Sequence, residues 1–407
     1  MQIFLEAAKQ ARDLLAARIY KPSHLRIGVL DYFDLRRPAH RLYPNRIHLR
    51  EAMAWLCRAQ DATPDAGIAA RYRLDRGWTA SYPETTGYII PTFYDFADYT
   101  QNYQLRERAL RMAEWLLSIQ LECGAYPGHT TSQKPIPRVF NTGQVMLGLL
   151  RTYRETGRIE FLEAGRKAGD WLVSIQESDG SWLKWTFNNR QHAYHTCVAW
   201  PLLELYRETG EESYKKAAIK NLNWALSCQL PNGWFEKSGF RNDELPVLHT
   251  IAYTITGLLE SGAILVPKQP KRSRYVKAAI LASEALLHRY EIRRYMAAQF
   301  DRNWKSPVRY SCLTGNCQTS YNWLRIYQFT GDPRFLNGAL KLNDFVKSTQ
   351  DLFSTNPGIR GGIKGSHPIW GDYIRFSYPN WAAKFFIDAL MLEEKMVHHI
   401  YTQIGLA

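Results

Sequence analysis

His249 and Tyr253 stand four residues apart in "LHTIAY", and His192 and His195 stand three apart in "RQHAYH". On a helix these spacings place both members of a pair on one face, where an imidazole and a phenol can relay a proton. Asn141 and Arg138 in "RVFNTGQ" add a planar amide and a guanidinium, the groups that hold a carboxylate. Asn141, Arg138, His195, His249 and Tyr253 together suit removal of a carbon-bound proton beside a carboxylate: two groups neutralise the acid while His and Tyr move the proton. Glu84 in "YPETTGY" is the one carboxylate in a comparable setting, since Asp243, Glu244, Asp301 and Asp372 fall in connecting segments. A pair of carboxyl groups that cleaves glycosidic bonds would have to join Glu84 to one of those loops. Two histidines with no third ligand, no HExxH and no Cys/His cluster do not make a metal site. No metal and no cofactor is expected.

The elements that position these residues are set by a repeat. Trp, four residues, then Gln occurs in "WLCRAQ", "WLLSIQ", "WLVSIQ" and "WALSCQ", ending at Gln60, Gln120, Gln176 and Gln229, with "FVKSTQ" ending at Gln350. The missing copy falls near "ALLHRY" (285–290). Tyr153, Tyr206 and Tyr327 open "YRETG", "YRETG" and "YQFTG", each the same distance before its Gln, and glycine plus an aromatic follows in "QLECGAY", "QESDGSW" and "QLPNGW". The period is about 56 residues, repeated six times.

Each unit reads as two helices. "FLEAGRKAGDWLVSIQ" and "YKKAAIKNLNWALSCQ" are amphipathic, whereas "TGQVMLGLLRTY" and "TIAYTITGLLESG" are apolar nearly all round, as an enclosed helix must be. Outer helices are expected at about 47–60, 103–120, 158–176, 211–229, 273–290 and 334–350, and inner ones at about 84–98, 141–155, 194–208, 247–262, 316–329 and 379–395. The sixth inner helix can pack beside the first and close a ring. The expected fold is all-α, an (α/α)6 toroid over residues 46–400, preceded by an N-terminal helix and connecting segment (1–45) and followed by a tail (401–407).

In such a ring the starts of the inner helices converge at one mouth, where unpaired N–H groups and positive dipole favour an anion. The residues arriving there include Glu84, Tyr88, Gln144, Arg190, His192, Tyr194, Asn316, Gln318, Asn380 and Trp381. The loops before them add Tyr126, Trp182, Trp185, Trp234, Trp304 and Trp370. Aromatic faces beside amides and guanidinium groups are what a sugar chain needs, because rings stack on C–H faces and planar groups bond hydroxyls and carboxylates. An acidic oligo- or polysaccharide is the expected partner. Removing the C5 proton of a uronosyl unit leads to β-elimination or C5 epimerisation through one carbanion. A glycoside hydrolase built on Glu84 and a non-catalytic glycan-binding protein are the alternatives.

The net charge of +14 on 407 residues agrees with an anionic partner, but no Lys/Arg run dominates, so no nucleic-acid partner is expected. The six cysteines form no CxxC pair, which suggests reduced, buried thiols. "MQIFLEAAKQARDLLAARIY" reads as an amphipathic helix rather than a signal peptide, and no apolar stretch is long enough to span a bilayer. A cytoplasmic protein, peripheral to the inner membrane at most, is the expectation.

"YPETTGYIIPTFYDFA", "RVFNTGQVMLGLL", "YHTCVAWPLLELYRETG" and "YPNWAAKFFIDAL" resemble (α/α)6-toroid proteins associated with bacterial exopolysaccharide biosynthesis, over nearly the whole chain after about residue 45. "RVFNTGQVMLGLL" is also similar to a helix start in the C-terminal domain of glucuronyl C5-epimerases. "NNRQHAYH" resembles the Asn-Asn-His…Tyr segment of toroid alginate-type lyases, with Arg190 and Gln191 inserted before His192. These resemblances imply polysaccharide-directed chemistry and association with other polysaccharide synthesis proteins. The Q-x3-G-x-W turns resemble those of terpene cyclases and prenyltransferases too, but the acidic DxDD-type motif and the zinc ligands of those enzymes are missing here.

Overall fold

The computed structural model of the protein describes residues 12, 15, 18, 20–34, 42–241 and 244–403, with side chains through residue 398. Helix α1 (Pro22–Asp34) precedes the ring. Six outer helices follow in alternation with six inner ones. The outer set is α2 (Asn45–Asp61), α4 (Tyr103–Ser118), α6 (Ile159–Ser174), α8 (Glu212–Ser227), α10 (Arg274–Arg293) and α12 (Pro333–Thr349). The inner set is α3 (Pro83–Thr100), α5 (Val139–Thr156), α7 (Thr196–Thr209), α9 (Leu248–Leu265), α11 (Leu313–Thr330) and α13 (Asn380–Gln403). Consecutive inner helices pack on one another, and α13 returns to pack on both α3 and α2. The fold is therefore an (α/α)6 toroid; its last helix runs to Gln403, past the expected end at 400.

Both repeated signatures turn out to be structural. The Gln120 amide donates to the Gly124 carbonyl in its own turn (2.8 Å) and to the Ala164 carbonyl on the next outer helix (2.9 Å). Gln176 repeats this with Gly180 and Ala217, Gln229 with Gly233 and Ala278, and Gln350 with Gly361 and His48. With Gln60 donating to the Arg108 carbonyl, one Gln side chain thus ties each of the first four outer helices to the one after it. Gln350 ties the last to the first; the fifth has no such Gln. The turn glycine must lie close: at Gly180, with φ +89°, a Cβ would sit 2.5 Å from the Lys220 carbonyl carbon. The second signature ends the inner helices. Gly157, Gly210 and Gly331 adopt φ between +69° and +74°, and their N–H groups bond back to the carbonyls of Tyr153, Tyr206 and Tyr327. The chain then enters the following outer helix after two residues, and among the inner-to-outer connections only the one from α9 to α10 (266–273) is longer. The longest connections consequently lie at the opposite end, before the inner helices.

Short strands stiffen that end. β1 (Arg71–Arg73) pairs antiparallel with β2 (Gly77–Trp78) and with β5 (Ser377–Pro379), which joins the first and last long connections. β3 (Ser311–Cys312) pairs with β4 (Ser366–His367). Trp55 Nε1 donates to the Gly358 carbonyl across the same seam. One expectation needs correction: the inner helices are not apolar on every side. Their axial faces carry Gln144, Thr256, Gln318, Lys384 and Asp388, which leave the ring hollow and polar below the mouth.

Candidate functional site

The long connections and inner-helix starts enclose a mouth cavity of about 340 Å³. Glu84 lies in the first turn of α3, directly after Pro83, which tolerates that position because its missing N–H would have no helical partner. The phenol of Tyr82, at the residue capping α3, donates to Glu84 Oε2 (2.6 Å). Glu84 is half-buried and lines the cavity. Desolvation pushes its pKa up to about 7 against the opposing Tyr82 bond. The phenols of Tyr82, Tyr88, Tyr194, Tyr253 and Tyr373 are buried, which raises their pKa values, and each is raised further by the Glu84 charge. A carboxylic acid encircled by five un-ionised tyrosines is the centre of the site.

His249, in the first turn of α9, closes the other wall. Its Nδ1 is 2.6 Å from Gln318 Oε1 on α11. Burial depresses the imidazole to about pKa 4, with the Gln318 bond only partly offsetting this. The ring is therefore neutral; an amide oxygen holds Nδ1 as the protonated nitrogen and leaves Nε2 as the basic one. Tyr253, one turn further on, packs tilted against His249 with ring centroids 4.4 Å apart, and its hydroxyl lies beside that of Tyr88.

Arg138 caps α5 and lines the mouth; its guanidinium donates to the Thr186 carbonyl (3.3 Å) and, among the described residues, makes no ion pair. Asn141 reaches the Tyr82 phenol in the same wall and also donates to the Pro127 carbonyl at 3.4 Å. Trp185 and Trp381 provide aromatic faces, and Trp381 Nε1 donates to the Tyr373 hydroxyl (2.9 Å). The fold thus gathers Glu84, Tyr88, Arg138, Asn141, Trp185, His249, Tyr253 and Trp381 in one cavity, with Tyr194 among them.

Several residues expected at the mouth lie elsewhere. His195 is buried behind Phe140 and Tyr194, with both ring nitrogens unpartnered, because a 3-10 turn at Ala193–His195 precedes α7 and points the ring into the wall. The two ring nitrogens of His192 face the Gly239 (3.1 Å) and Phe187 (2.8 Å) carbonyls, and its one N–H donates to one of them, so the ring sits between two loops. Arg190 is fixed in its own loop, where Thr186 Oγ1 accepts from its N–H (2.8 Å). Trp182 is fully buried and donates to the Leu172 carbonyl; Trp234 packs edge-on against Trp304 at 5.1 Å. Tyr126 and Asn316 are enclosed in packed protein, and Asn380 donates to Ala69 and Thr85 to close the ring. Trp370 is half-buried outside the mouth. Gln144 donates to the Cys197 carbonyl (2.8 Å) and faces the hollow below, and Gln318 reaches the mouth only through His249.

The structure adds Tyr82, Phe140, Phe187, Phe240, Arg241, Glu244 and Tyr373 to the mouth. Tyr82 had a signal, since it immediately precedes "PET". Tyr373 had none, because it comes from a long connection with no counterpart in the other repeats. Asp243 lies outside the described residues.

The chain matches no protein-family model and no curated protein sequence. Solved structures share its architecture. An unsaturated glucuronyl hydrolase specific for heparin superposes with TM-score 0.68 at 12% identity, covering 86% of this chain and 97% of its own. A sugar epimerase from a ruminal bacterium gives TM-score 0.68 at 12% identity over 85% and 97%. A glycosyl hydrolase family 88 protein from Bacteroides vulgatus gives TM-score 0.64 at 10% identity over 87% and 99%. At these identities the likeness is one of fold. No helix among the described residues is long and apolar enough to cross a membrane.

Proposed function

We propose that this protein is a carbohydrate-active enzyme that removes the C5 proton of a uronosyl unit in an acidic bacterial exopolysaccharide or its precursor, working alongside other polysaccharide synthesis proteins. The observation that carries the reading is the pairing of a neutral His249, fixed by Gln318 with Nε2 as its basic nitrogen, with a ring of protonated acids in the same cavity. His249 takes the proton. Tyr253, whose phenol stays protonated, returns one, or Glu84 protonates the leaving oxygen. Arg138 and Asn141 hold the substrate carboxylate and stabilise the charge that develops on it. Trp185 and Trp381 offer faces on which sugar rings stack. The names of the structural neighbours, a glucuronyl hydrolase and sugar epimerases, agree with a uronide or a hexose as the unit read.

A glycoside hydrolase with Glu84 as the acid is the second reading, favoured by the pKa of about 7. Against it, the one other carboxylate among the described lining residues is Glu244, at the rim and paired with Arg241 (3.1 Å). Incubation with uronate polymers in deuterated water separates the two. C5 deuterium or an unsaturated, ultraviolet-absorbing product is expected. New reducing ends with neither signal would replace this reading by the hydrolase.

A further inference from the structure

Below the mouth the ring contains a second cavity of about 310 Å³, lined by all six inner helices and entered from their C-terminal ends. Tyr88 and Tyr253 line both cavities. The partition between them is one layer of rings: Phe385 lies 5.6 Å from Tyr88, 5.8 Å from Tyr253 and 6.4 Å from His249, centroid to centroid. The lower side of this layer is polar. Lys384 pairs with Asp388, which also accepts from Thr92 Oγ1 (2.7 Å). Gln318 faces the hollow, and its buried Nε2 has no partner, while its Oε1 holds His249 on the upper side. A cavity of this size, lined by these amide, ammonium and carboxylate groups, holds water, whereas the unpartnered Gln318 amide sealed in dry protein would cost about 1–3 kcal/mol.

We propose that this axial well is the solvent route to the reacting groups when a sugar chain fills the mouth, with Gln318, Lys384 and Asp388 as its positioning residues. The inference rests on the proton-abstraction reading for its purpose, but not for its existence. An aromatic mouth filled by substrate excludes water, and the reset of the acid–base pair needs water. After C5 loses its proton to His249 Nε2 and receives one from the Tyr253 hydroxyl, the enzyme holds an imidazolium and a phenolate. Water in the well protonates the phenolate oxygen, and the proton on His249 leaves to solvent, so the net change is zero.

Two experiments test it. In a variant with Cys57, Cys123 and Cys228 replaced by Ser and Cys197, which lines the well, replaced by Ala, Thr256→Cys puts a thiol on the well and Thr250→Cys puts one on the mouth, while native Cys317, fully buried and outside both cavities, serves as the packed reference. With a small methanethiosulfonate reagent, Thr256→Cys should react at least about tenfold faster than Cys317, which is reached only by local opening. Adding Leu147→Trp, which narrows the well, should slow Thr256→Cys and leave Thr250→Cys unchanged. A Thr256→Cys rate equal to that of Cys317 overturns the well. The second experiment measures C5 deuterium incorporated per turnover, which should fall several-fold in Leu147→Trp; an unchanged ratio overturns the role in reset. If the native enzyme exchanges no C5 hydrogen with any uronate polymer, the proposed function fails while the thiol result still decides whether the well is wet.

Discussion

Nδ1 of His249 and Oε1 of Gln318 lie 2.6 Å apart across the α9–α11 interface, with both side chains buried. Because an amide oxygen only accepts, it selects the tautomer and adds no charge. His249 therefore stays neutral, and the site owns a base whose proton affinity is set by burial rather than by a carboxylate partner. Gln318→Glu keeps the geometry and adds the charge. It should raise the proton affinity of His249 by roughly 10- to 1000-fold and move the acid limb of the pH–rate profile upward. The ring 15N shifts of His249 would report the imidazolium directly. Unmoved shifts and an unmoved limb would mean that Gln318 does not hold the base.

Glu84 makes a prediction about stability as well as rate. Its pKa is raised from 4.5 to about 7, so between those values the folded protein binds the proton that the unfolded chain has released. Stability must therefore fall as pH rises from about 4.5 to about 7, by on the order of 3 kcal/mol for this group, and then level off. Glu84→Gln should flatten that slope in urea titrations run at successive pH values. It should also abolish any fall in activity across neutrality if the protonated acid is the working form. His249, depressed from 6.5 to about 4, has the opposite sign: its contribution is lost as pH falls through that window.

The architecture was open to reading because the toroid repeats its own fastenings. Trp and Gln recur since five of the six outer helices are tied to the next by the same bond, and Thr-Gly recurs since a short turn needs a left-handed cap. The site was readable only where helical spacing settled it. His249 and Tyr253 stayed one turn apart in α9, and Glu84 and Asn141 sat at helix starts where the ring brings them together. His195 failed because an irregular turn, not an α-helix, carries it, so spacing said nothing about its direction. The indoles were over-read for a related reason: Trp182 and Trp234 belong to the repeat turns, whereas Trp185 and Trp381 stand outside the repeat. The polar axial stripe escaped because single residues such as Lys384 and Asp388 are diluted by apolar neighbours in each helix, and Gln318 was expected at the mouth rather than below it.

The fastenings can be ranked by two glycines. Gly180 and Gly210 share a left-handed conformation, at φ +89° and +71°, but a Cβ added at Gly210 would meet nothing within 4 Å, whereas one at Gly180 would meet the Lys220 backbone. Gly210→Ala should cost about 1 kcal/mol, the conformational penalty alone. Gly180→Ala should cost several times more, because α6 and α8 must separate to admit the methyl group. Gln176→Ala, which strands two carbonyls, should fall between, at about 1–3 kcal/mol. Thermal unfolding of the three variants checks the order; equal losses would remove the close approach as the reason for the repeat glycine.

Trp182 and Trp185 are three residues apart and should behave oppositely. Trp182 is fully buried with its indole N–H bonded to the Leu172 carbonyl, whereas Trp185 lines the mouth. Trp182→Ala should destabilise by about 3–5 kcal/mol, as core tryptophan truncations do. Trp185→Ala should leave unfolding nearly unchanged and weaken binding of uronate oligosaccharides by about 0.5–1.5 kcal/mol for the lost stacking. Calorimetric unfolding and binding titrations on both variants separate the roles, and a stability loss at Trp185 with no loss of binding would take it out of the site.

The ring is also fastened from outside, at a point that bears on the mouth. Asp31 of α1 is buried against Lys364, its Oδ2 accepts from the Ile369 N–H (2.7 Å), and His367 approaches its Oδ1 at 3.4 Å. Burial alone would raise the Asp31 pKa, but Lys364 and His367 outweigh it and hold the carboxyl below its ordinary value. Asp31 therefore anchors the connection that carries Tyr373 into the mouth. Asp31→Ala leaves a buried ammonium unpaired and should cost about 3–5 kcal/mol, whereas the double variant Asp31→Leu, Lys364→Met should recover most of that loss. If α1 serves only stability, the double variant will regain full activity along with its melting temperature. If α1 also places Tyr373, stability will return without activity, and the affinity for oligosaccharide will remain low.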